Sequence, residues 1–214
     1  YFELENKTYE CGVSKNFTVS FLKAEIIANN FTTYVYSNDK YVIVLKDALS
    51  FLSGKNVFFK IDGKQIITTT GDNGQAELNV NLTSGTYPVE IRFDGDTGHP
   101  SCHANATITV SKMDSAINVS YNEVDYGNTL HILVELNVEG DVELVLDNKT
   151  YLAKTSNKTA EFNISDLDAG EYEFNIAFAG NMIYSQAIVA GSVRISKTTP
   201  EVIVTAEDIE YMQS

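Results

Sequence analysis

The sequence repeats itself. Residues 85–112, GTYPVEIRFDGDTGHPSCHANATITVSK, return without a gap as residues 170–197, GEYEFNIAFAGNMIYSQAIVAGSVRISK, an offset of 85 residues. A fixed period of this length makes the chain an array of one supersecondary unit rather than a single irregular domain. Within the unit, Tyr87, Val89, Ile91 and Phe93 alternate with Pro88, Glu90, Arg92 and Asp94, and Tyr172, Phe174, Ile176 and Phe178 alternate with Glu173, Asn175 and Ala177. Alternation at a period of two is the pattern of a strand with one buried face.

Laid against this ruler, the 214 residues divide into two complete modules, 24–112 and 113–197, with partial ones at either side. Residues 6–23 match 95–112 in length, with Asn16-Phe17-Thr18 on Asn105-Ala106-Thr107, so 1–23 is expected to supply the C-terminal strands of a truncated module. Residues 196–214 match 111–129, with Tyr211 on Tyr126, so 198–214 is expected to be the first strand of a following one. A module of this size buries roughly 60–65% of its unfolded surface, enough to fold without many staples.

In the first complete module the alternation predicts strands over 28–36, 40–46, 55–62, 65–70, 75–81, 86–93 and 103–110. Turn chemistry separates them: Asp62-Gly63 for a tight hairpin, then Gly71-Asp72-Asn73-Gly74 and Asp94-Gly95-Asp96. The second module repeats the order, with Asp147-Asn148-Lys149 at the hairpin and Ala179-Gly180-Asn181 after the longest strand. Seven or so short strands without helical periodicity describe an all-β chain of tandem immunoglobulin-like β-sandwich modules, expected in an extended head-to-tail array. Residues 82–87 and 167–172 both read L-x-x-G-x-Y at the entry to the longest strand. Immunoglobulin-like sandwiches place a tyrosine corner there, so Tyr87 and Tyr172 are expected to pack their rings inward and bond back to the preceding turn. No Trp is present, and neither complete module holds a Cys pair.

The segments VIVLKD (42–47), GKNVFFKIDGK (54–64), TTGDNGQAEL (69–78), 82–87, FDGD (93–96) and the strand ends ITVSK and VRISK carry a resemblance. With them the chain resembles the immunoglobulin-like tandem repeats of prokaryotic cell-surface adhesin-like proteins, most closely those of methanogenic archaea. Where the usual pattern has a Tyr soon after the glycine-aspartate turn, the first complete module has Gly98-His99-Pro100. The resemblance implies a cell-surface, extracellular role, mostly as a stalk holding another domain away from the envelope, with some repeats making the adhesive contact.

Charge narrows the partners. With 29 carboxylates against 15 Lys and Arg, the net charge is −14, and such a surface repels phosphate, so nucleic acid is not expected as a partner. No run approaches the ~20 apolar residues of a spanning helix, so no membrane insertion is expected within these residues. Asn-x-Ser/Thr occurs nine times, at Asn6, Asn16, Asn30, Asn81, Asn105, Asn118, Asn148, Asn157 and Asn163. With 19 Asn among 214 residues, chance gives about three, and the acceptor must be exposed in a secreted protein. Val80 and Leu82 flank Asn81, Phe162 and Ile164 flank Asn163, and Ile117 and Val119 flank Asn118, which aims all three outward. These sites are read as glycosylation candidates.

Other chemistry is thin. Cys11 and Cys102 fall at nearly the same place in successive repeats, so in a head-to-tail array they stand at least ~33 Å apart, far beyond the ~7 Å a disulfide spans. His99, Cys102 and His103 offer three ligands in five residues, but a structural zinc site needs two spaced pairs, and no metal is assigned. His131 alternates with Leu130, Ile132 and Val134 and is expected to face solvent. The turns 71–74, 94–96 and 166–168 carry oxygen ligands without the spacing of a calcium loop; Asp and Asn are the ordinary residues of tight turns, and calcium stays a minor alternative with no cofactor assigned. No nucleophile elbow or paired base marks a catalytic residue, and the short loops leave little chain for a cleft.

The leading expectation is therefore a non-enzymatic extracellular stalk or adhesion segment. One alternative is a ligand-binding module recognising a cell-surface glycan or protein through its end loops; another is a set of spacer repeats from an envelope-degrading enzyme whose catalytic domain lies outside these residues. Segments 17–22 and 202–206 have no sequence partners of their own, which raises head-to-tail strand pairing between chains as an assembly mode.

Overall fold

The computed structural model describes the backbone of residues 2–4, 7–9, 22–199 and 202–205, with side chains for 22–199 and 202–205. It falls into two compact units, Tyr1–Val110 and Ser111–Ser214, and each is described by itself. Cys11, Asn6, Asn16 and most of the partial modules expected over 1–23 and 198–214 lie outside the described residues.

In the first unit, strands β1 (Phe2–Leu4) and β2 (Lys7–Tyr9) pair antiparallel. The sandwich follows: β3 (Glu25–Ile27), β4 (Phe31–Tyr34), β5 (Lys40–Lys46), β6 (Asn56–Ile61), β7 (Lys64–Thr69), β8 (Gln75–Asn79), β9 (Gly85–Phe93) and β10 (Cys102–Ser111). One sheet has the order β3-β5-β8, the other β4-β10-β9-β6-β7. The second unit repeats this strand for strand with β11 (Ile117–Tyr121), β12 (Val124–Asp125), β13 (Leu130–Leu136), β14 (Asp141–Leu146), β15 (Lys149–Lys154), β16 (Thr159–Ile164), β17 (Gly170–Phe178) and β18 (Ala187–Ser196). Its sheets run β11-β13-β16 and β12-β18-β17-β14-β15. Residues 202–205 are exposed and carry no regular structure. Among the described residues no helix is long and apolar enough to cross a membrane.

The period-two reading places the later strands of the first module to within two residues, and 40–46 is β5 end for end. The first strand differs. Instead of one strand over 28–36, the chain forms β3 in the smaller sheet and β4 in the larger. Between them Asn30 accepts a hydrogen bond from the Thr107 N–H on β10 (2.9 Å), so a polar side chain ties the crossing segment to the second sheet. The second unit makes the same crossing: β11 pairs with β13, whereas β12 runs parallel to β18. A crossing strand gives both sheets an edge from one segment and tethers the two layers of the sandwich at one side.

Twist selects the hairpins. Asp62 and Gly63 both have positive φ, as do Asp147 and Asn148, and they join the closing pairs Ile61↔Lys64 and Leu146↔Lys149. Two-residue turns with left-handed backbone match the right-handed twist of their strands, and Asp, Asn and Gly enter that region most cheaply.

Each unit has its own core. In the first, Tyr41, Ile43, Leu45, Val57, Phe59, Val89, Ile91, Phe93 and Ile108 are among the buried side chains; in the second, Leu130, Ile132, Val134, Leu144, Phe162, Phe174, Ile176 and Phe178 are. Tyr87 and Tyr172, the outermost of each inward-facing row, are half-buried against these clusters. Two buried hydroxyls, those of Tyr41 and Thr68, lack a partner among the described residues, and the first lies in the core. Tyr41 is buried between Phe31 and Phe59, its hydroxyl finds no partner among the described residues, and burial pushes its pKa up to about 12. At the matching register, Tyr41 opposite Leu78 and Ile132 opposite Phe162, the second unit carries a wholly apolar residue. An unpartnered buried hydroxyl costs about 1–3 kcal/mol. Tyr41→Phe is therefore expected to leave the urea midpoint of the first unit unchanged or raised, whereas Phe59→Ala, which empties a fully buried site, should cost about 3–5 kcal/mol.

Candidate functional site

The two units agree in their strands and differ most in one connection. Between β5 and β6 the first unit has nine residues, 47–55; between β13 and β14 the second has four, 137–140. The longer connection folds back at once, with Asp47 N–H donating to the Ser50 carbonyl (2.9 Å) and Leu52 N–H to the Leu45 carbonyl (3.0 Å). Asp47 caps this turn: its Oδ1 accepts the N–H groups of Leu49 and Ser50, both at 2.7 Å. The tip presents Leu49, 79% exposed, and Phe51, 56% exposed.

Beside it lies the β9–β10 connection. Asp96 Oδ1 accepts from the N–H groups of Gly98 (2.8 Å) and His99 (2.9 Å), while the Asp96 N–H donates to the His99 carbonyl (2.8 Å). The second unit builds the same loop with Asn181, which accepts from Ile183 and Tyr184 and donates its N–H to the Tyr184 carbonyl (3.0 Å). His99 thus occupies the place of Tyr184, and the replacement of the usual Tyr leaves the loop's backbone bonding intact.

The side chain changes the chemistry. His99 Nε2 lies 3.0 Å from Asp47 Oδ2 and Nδ1 lies 3.0 Å from Asp96 Oδ1, while Lys55 Nζ meets Asp96 Oδ2 at 2.6 Å. The Asp47 side chain is 3% exposed and that of His99 15%. The Leu49 N–H, then His99 and the Ser50 N–H, hold Asp47 at about 2. Lys55, followed by the Gly98 N–H and His99, holds Asp96 well below the usual carboxylate range. Asp47 and then Asp96 push His99 above its ordinary value. Both oxygens of Asp96, in one of the turns weighed for calcium, are engaged within the protein.

The sequence-derived residues fall elsewhere. Tyr87 Oη donates to the Thr83 carbonyl (3.0 Å) and Tyr172 Oη to the Asp168 carbonyl (2.9 Å), each the back-bond of a tyrosine corner. Asn30, Asn81, Asn105, Asn118, Asn148, Asn157 and Asn163 are exposed. Asn148 and Asn157 sit at positive φ in turns, and Asn163 Oδ1 meets Nδ1 of the exposed His131 at 2.5 Å. Those last two residues line a shallow depression with Ser120, Tyr121 and Glu161. His103 is exposed on β10 and Cys102 is partly buried. The Asp47–His99–Asp96 cluster was not legible from spacing, because its members are 49 and 3 residues apart and meet only when two loops converge. Also unanticipated are Thr70 and Thr155, buried at equivalent positions, whose Oγ1 atoms accept the N–H groups of Lys55 (2.9 Å) and Gly140 (2.8 Å) just ahead of β6 and β14.

Two sheets, a crossing first strand and a tyrosine corner define an immunoglobulin-like β-sandwich. No family model matches the sequence, and no curated protein matches it. Among solved structures, the titin domains Z1Z2 in complex with telethonin match at a TM-score of 0.50 and 12% identity, covering 86% of this chain and 100% of the other. That likeness is one of fold. A 1.5-MDa bacterial ice-binding adhesin aligns at a TM-score of 0.37 and 12% identity, over 85% of this chain and 67% of the other. The adhesin InvE of Yersinia pseudotuberculosis aligns at 0.34 and 13%, over 85% and 64%.

Gly95 is the hinge of the β9–β10 connection. Its φ is +88°, and an added Cβ would lie 2.8 Å from both the His99 carbonyl oxygen and the Ser101 nitrogen. Gly95→Ala is expected to cost roughly 1–3 kcal/mol, the usual range for a side chain held in this backbone region, read as a lowered urea midpoint for the first unit alone.

Proposed function

We propose that this chain is a non-enzymatic, extracellular stalk segment that contributes to cell-surface adhesion, built from the repeats that its sequence resembles in prokaryotic, methanogen-type adhesin-like proteins. The observation that carries the reading is the pair of self-sufficient sandwiches: each buries its own core and follows the same strand order, so modules can be added in series without redesign. The connection between them is short. β10 ends at Ser111, and Met113 is already bridged to Tyr184, with its N–H on the Ile183 carbonyl (2.8 Å) and its carbonyl accepting from Ser185 (2.9 Å). Lys112 Nζ donates to the Asn181 carbonyl (2.6 Å) and Ser115 Oγ to the Ser185 carbonyl (2.6 Å). These bonds fasten the entry segment to the second unit's own 179–186 connection.

Glycosylation of the exposed Asn-x-Ser/Thr sites belongs to the same reading, since an extracellular β surface this rich in acceptors offers them to the modifying enzyme. Protein from its natural host is expected to exceed the mass of the bare polypeptide, and an unmodified mass would count against this part.

A second reading is favoured by one feature, the 47–55 connection with its exposed Leu49 and Phe51: the first unit binds a cell-surface glycan or protein through its end loops. A glycan array and a pull-down from surface-exposed proteins separate the two. A pure spacer retains nothing; a binding module retains a ligand and loses it in the double variant Leu49→Ser, Phe51→Ser. Strong hydrolysis of an envelope polymer by the chain itself would defeat both.

A further inference from the structure

We propose that His99 is a proton-controlled clasp, joining the 47–55 and 94–101 connections of the first unit when its ring is doubly protonated and loosening the joint on the Asp96 side when it is not. The geometry carries this. Each ring nitrogen faces a carboxylate oxygen at 3.0 Å, Asp47 from one connection and Asp96 from the ring's own. An imidazolium donates from both nitrogens, whereas a neutral ring has one donor and one lone pair. In either neutral tautomer, one carboxylate is therefore left facing a lone pair.

The surroundings decide which contact yields. Asp47 is the more buried carboxylate, and apart from the ring its partners are the turn's own Leu49 and Ser50 N–H groups, with a longer contact to Ser50 Oγ. Asp96 is more exposed and keeps Lys55 and two backbone N–H groups without the ring. Leaving a buried charge short of donors costs more than leaving an exposed one, so the remaining proton stays on Nε2 toward Asp47 and the ring parts from Asp96. Lys55, on the far oxygen of Asp96, is the other charged group at the cluster.

The pH window follows in sign. His99 is shifted upward, so its contribution is complete below the unfolded value of about 6.5 and is lost as pH rises through its folded value. Asp47 is shifted down from 3.8 to about 2, so its contribution is complete above the unfolded value and is lost as pH falls toward the folded one. The clasp is tightest from about pH 4 to pH 6.5. The second unit has Tyr184 at the equivalent place and Asn181 for Asp96, which makes it an internal control.

Nuclear magnetic resonance of the full chain tests the clasp. The His99 ring is expected to titrate above 6.5 and to be protonated at Nε2 once neutral. Amide protection at Gly98 and His99, whose N–H groups sit on Asp96, corrected for intrinsic exchange, should fall through that titration by up to about tenfold for each pKa unit of elevation, whereas Leu49 and Ser50, held by Asp47, should keep theirs. Ile183 and Tyr184 should not change. His99→Gln should abolish the dependence above pH 6, and Asp47→Asn should lower the His99 value. A His99 that titrates at or below 6.5, a neutral ring protonated at Nδ1, or an undiminished pH dependence in His99→Gln would each overturn the proposal.

Discussion

Everything in this chain depends on one requirement: some 85 residues must cover both inner faces of a sandwich unaided. Strands supply the faces by alternation, because successive side chains point to opposite sides of the pleat. The strand at the middle of the larger sheet in each unit, β9 or β17, sets the depth of the core with its three fully inward residues, Val89, Ile91 and Phe93 or Phe174, Ile176 and Phe178. Burial of such side chains is worth about 1.5–3 kcal/mol each, and the alternation cannot slip by one residue without turning that whole row to solvent. Register is therefore fixed by the core, and the turns, corners and crossing strands serve to keep it.

The tyrosine corners and buried threonines show how the ends are fastened. Tyr87 and Tyr172 stand where the long strand leaves the core, half in and half out, so the ring extends the apolar row while the hydroxyl reaches a carbonyl four residues back. Thr70 and Thr155 do the converse, taking a polar atom inside to satisfy the N–H ahead of β6 and β14. Both devices recur at an offset of 85, which ties them to the sandwich itself rather than to whatever is peculiar to either unit.

Much of this was legible because it is periodic or local. Alternation located β5 through β10, and Asp-Gly and Asp-Asn located the hairpins, since positive φ is a property of two adjacent residues. The division of the first strand was not legible: Glu25–Ile27 and Phe31–Tyr34 are each too short for alternation to separate, and what divides them is Asn30 reaching Thr107, a contact 77 residues away in sequence. The Asp47–His99 pair failed for the same reason at a spacing of 52. As sequence, His99 read as a stray ligand near Cys102 and His103, and Asp47, one residue past the strand expected over 40–46, drew no reading of its own.

The equivalence of His99 and Tyr184 shows that the charged cluster is not a condition of folding. Both loops close with the same backbone bonds and the same strained glycine, Gly95 at φ +88° and Gly180 at φ +82°, and in the second unit Tyr184 packs against the apolar cluster instead of meeting carboxylates. A buried ionic contact replaced by apolar packing commonly costs nothing in stability, so stability alone gives no reason for the first unit to keep Asp47, His99 and Asp96 together. What the charged version adds is location: it braces the connection that differs most in length from its counterpart and that carries Leu49 and Phe51 outward. In a repeat, a departure from the common pattern concentrated at one pole marks where a unit differs in what it presents, and here the departure is a titratable brace under an apolar tip.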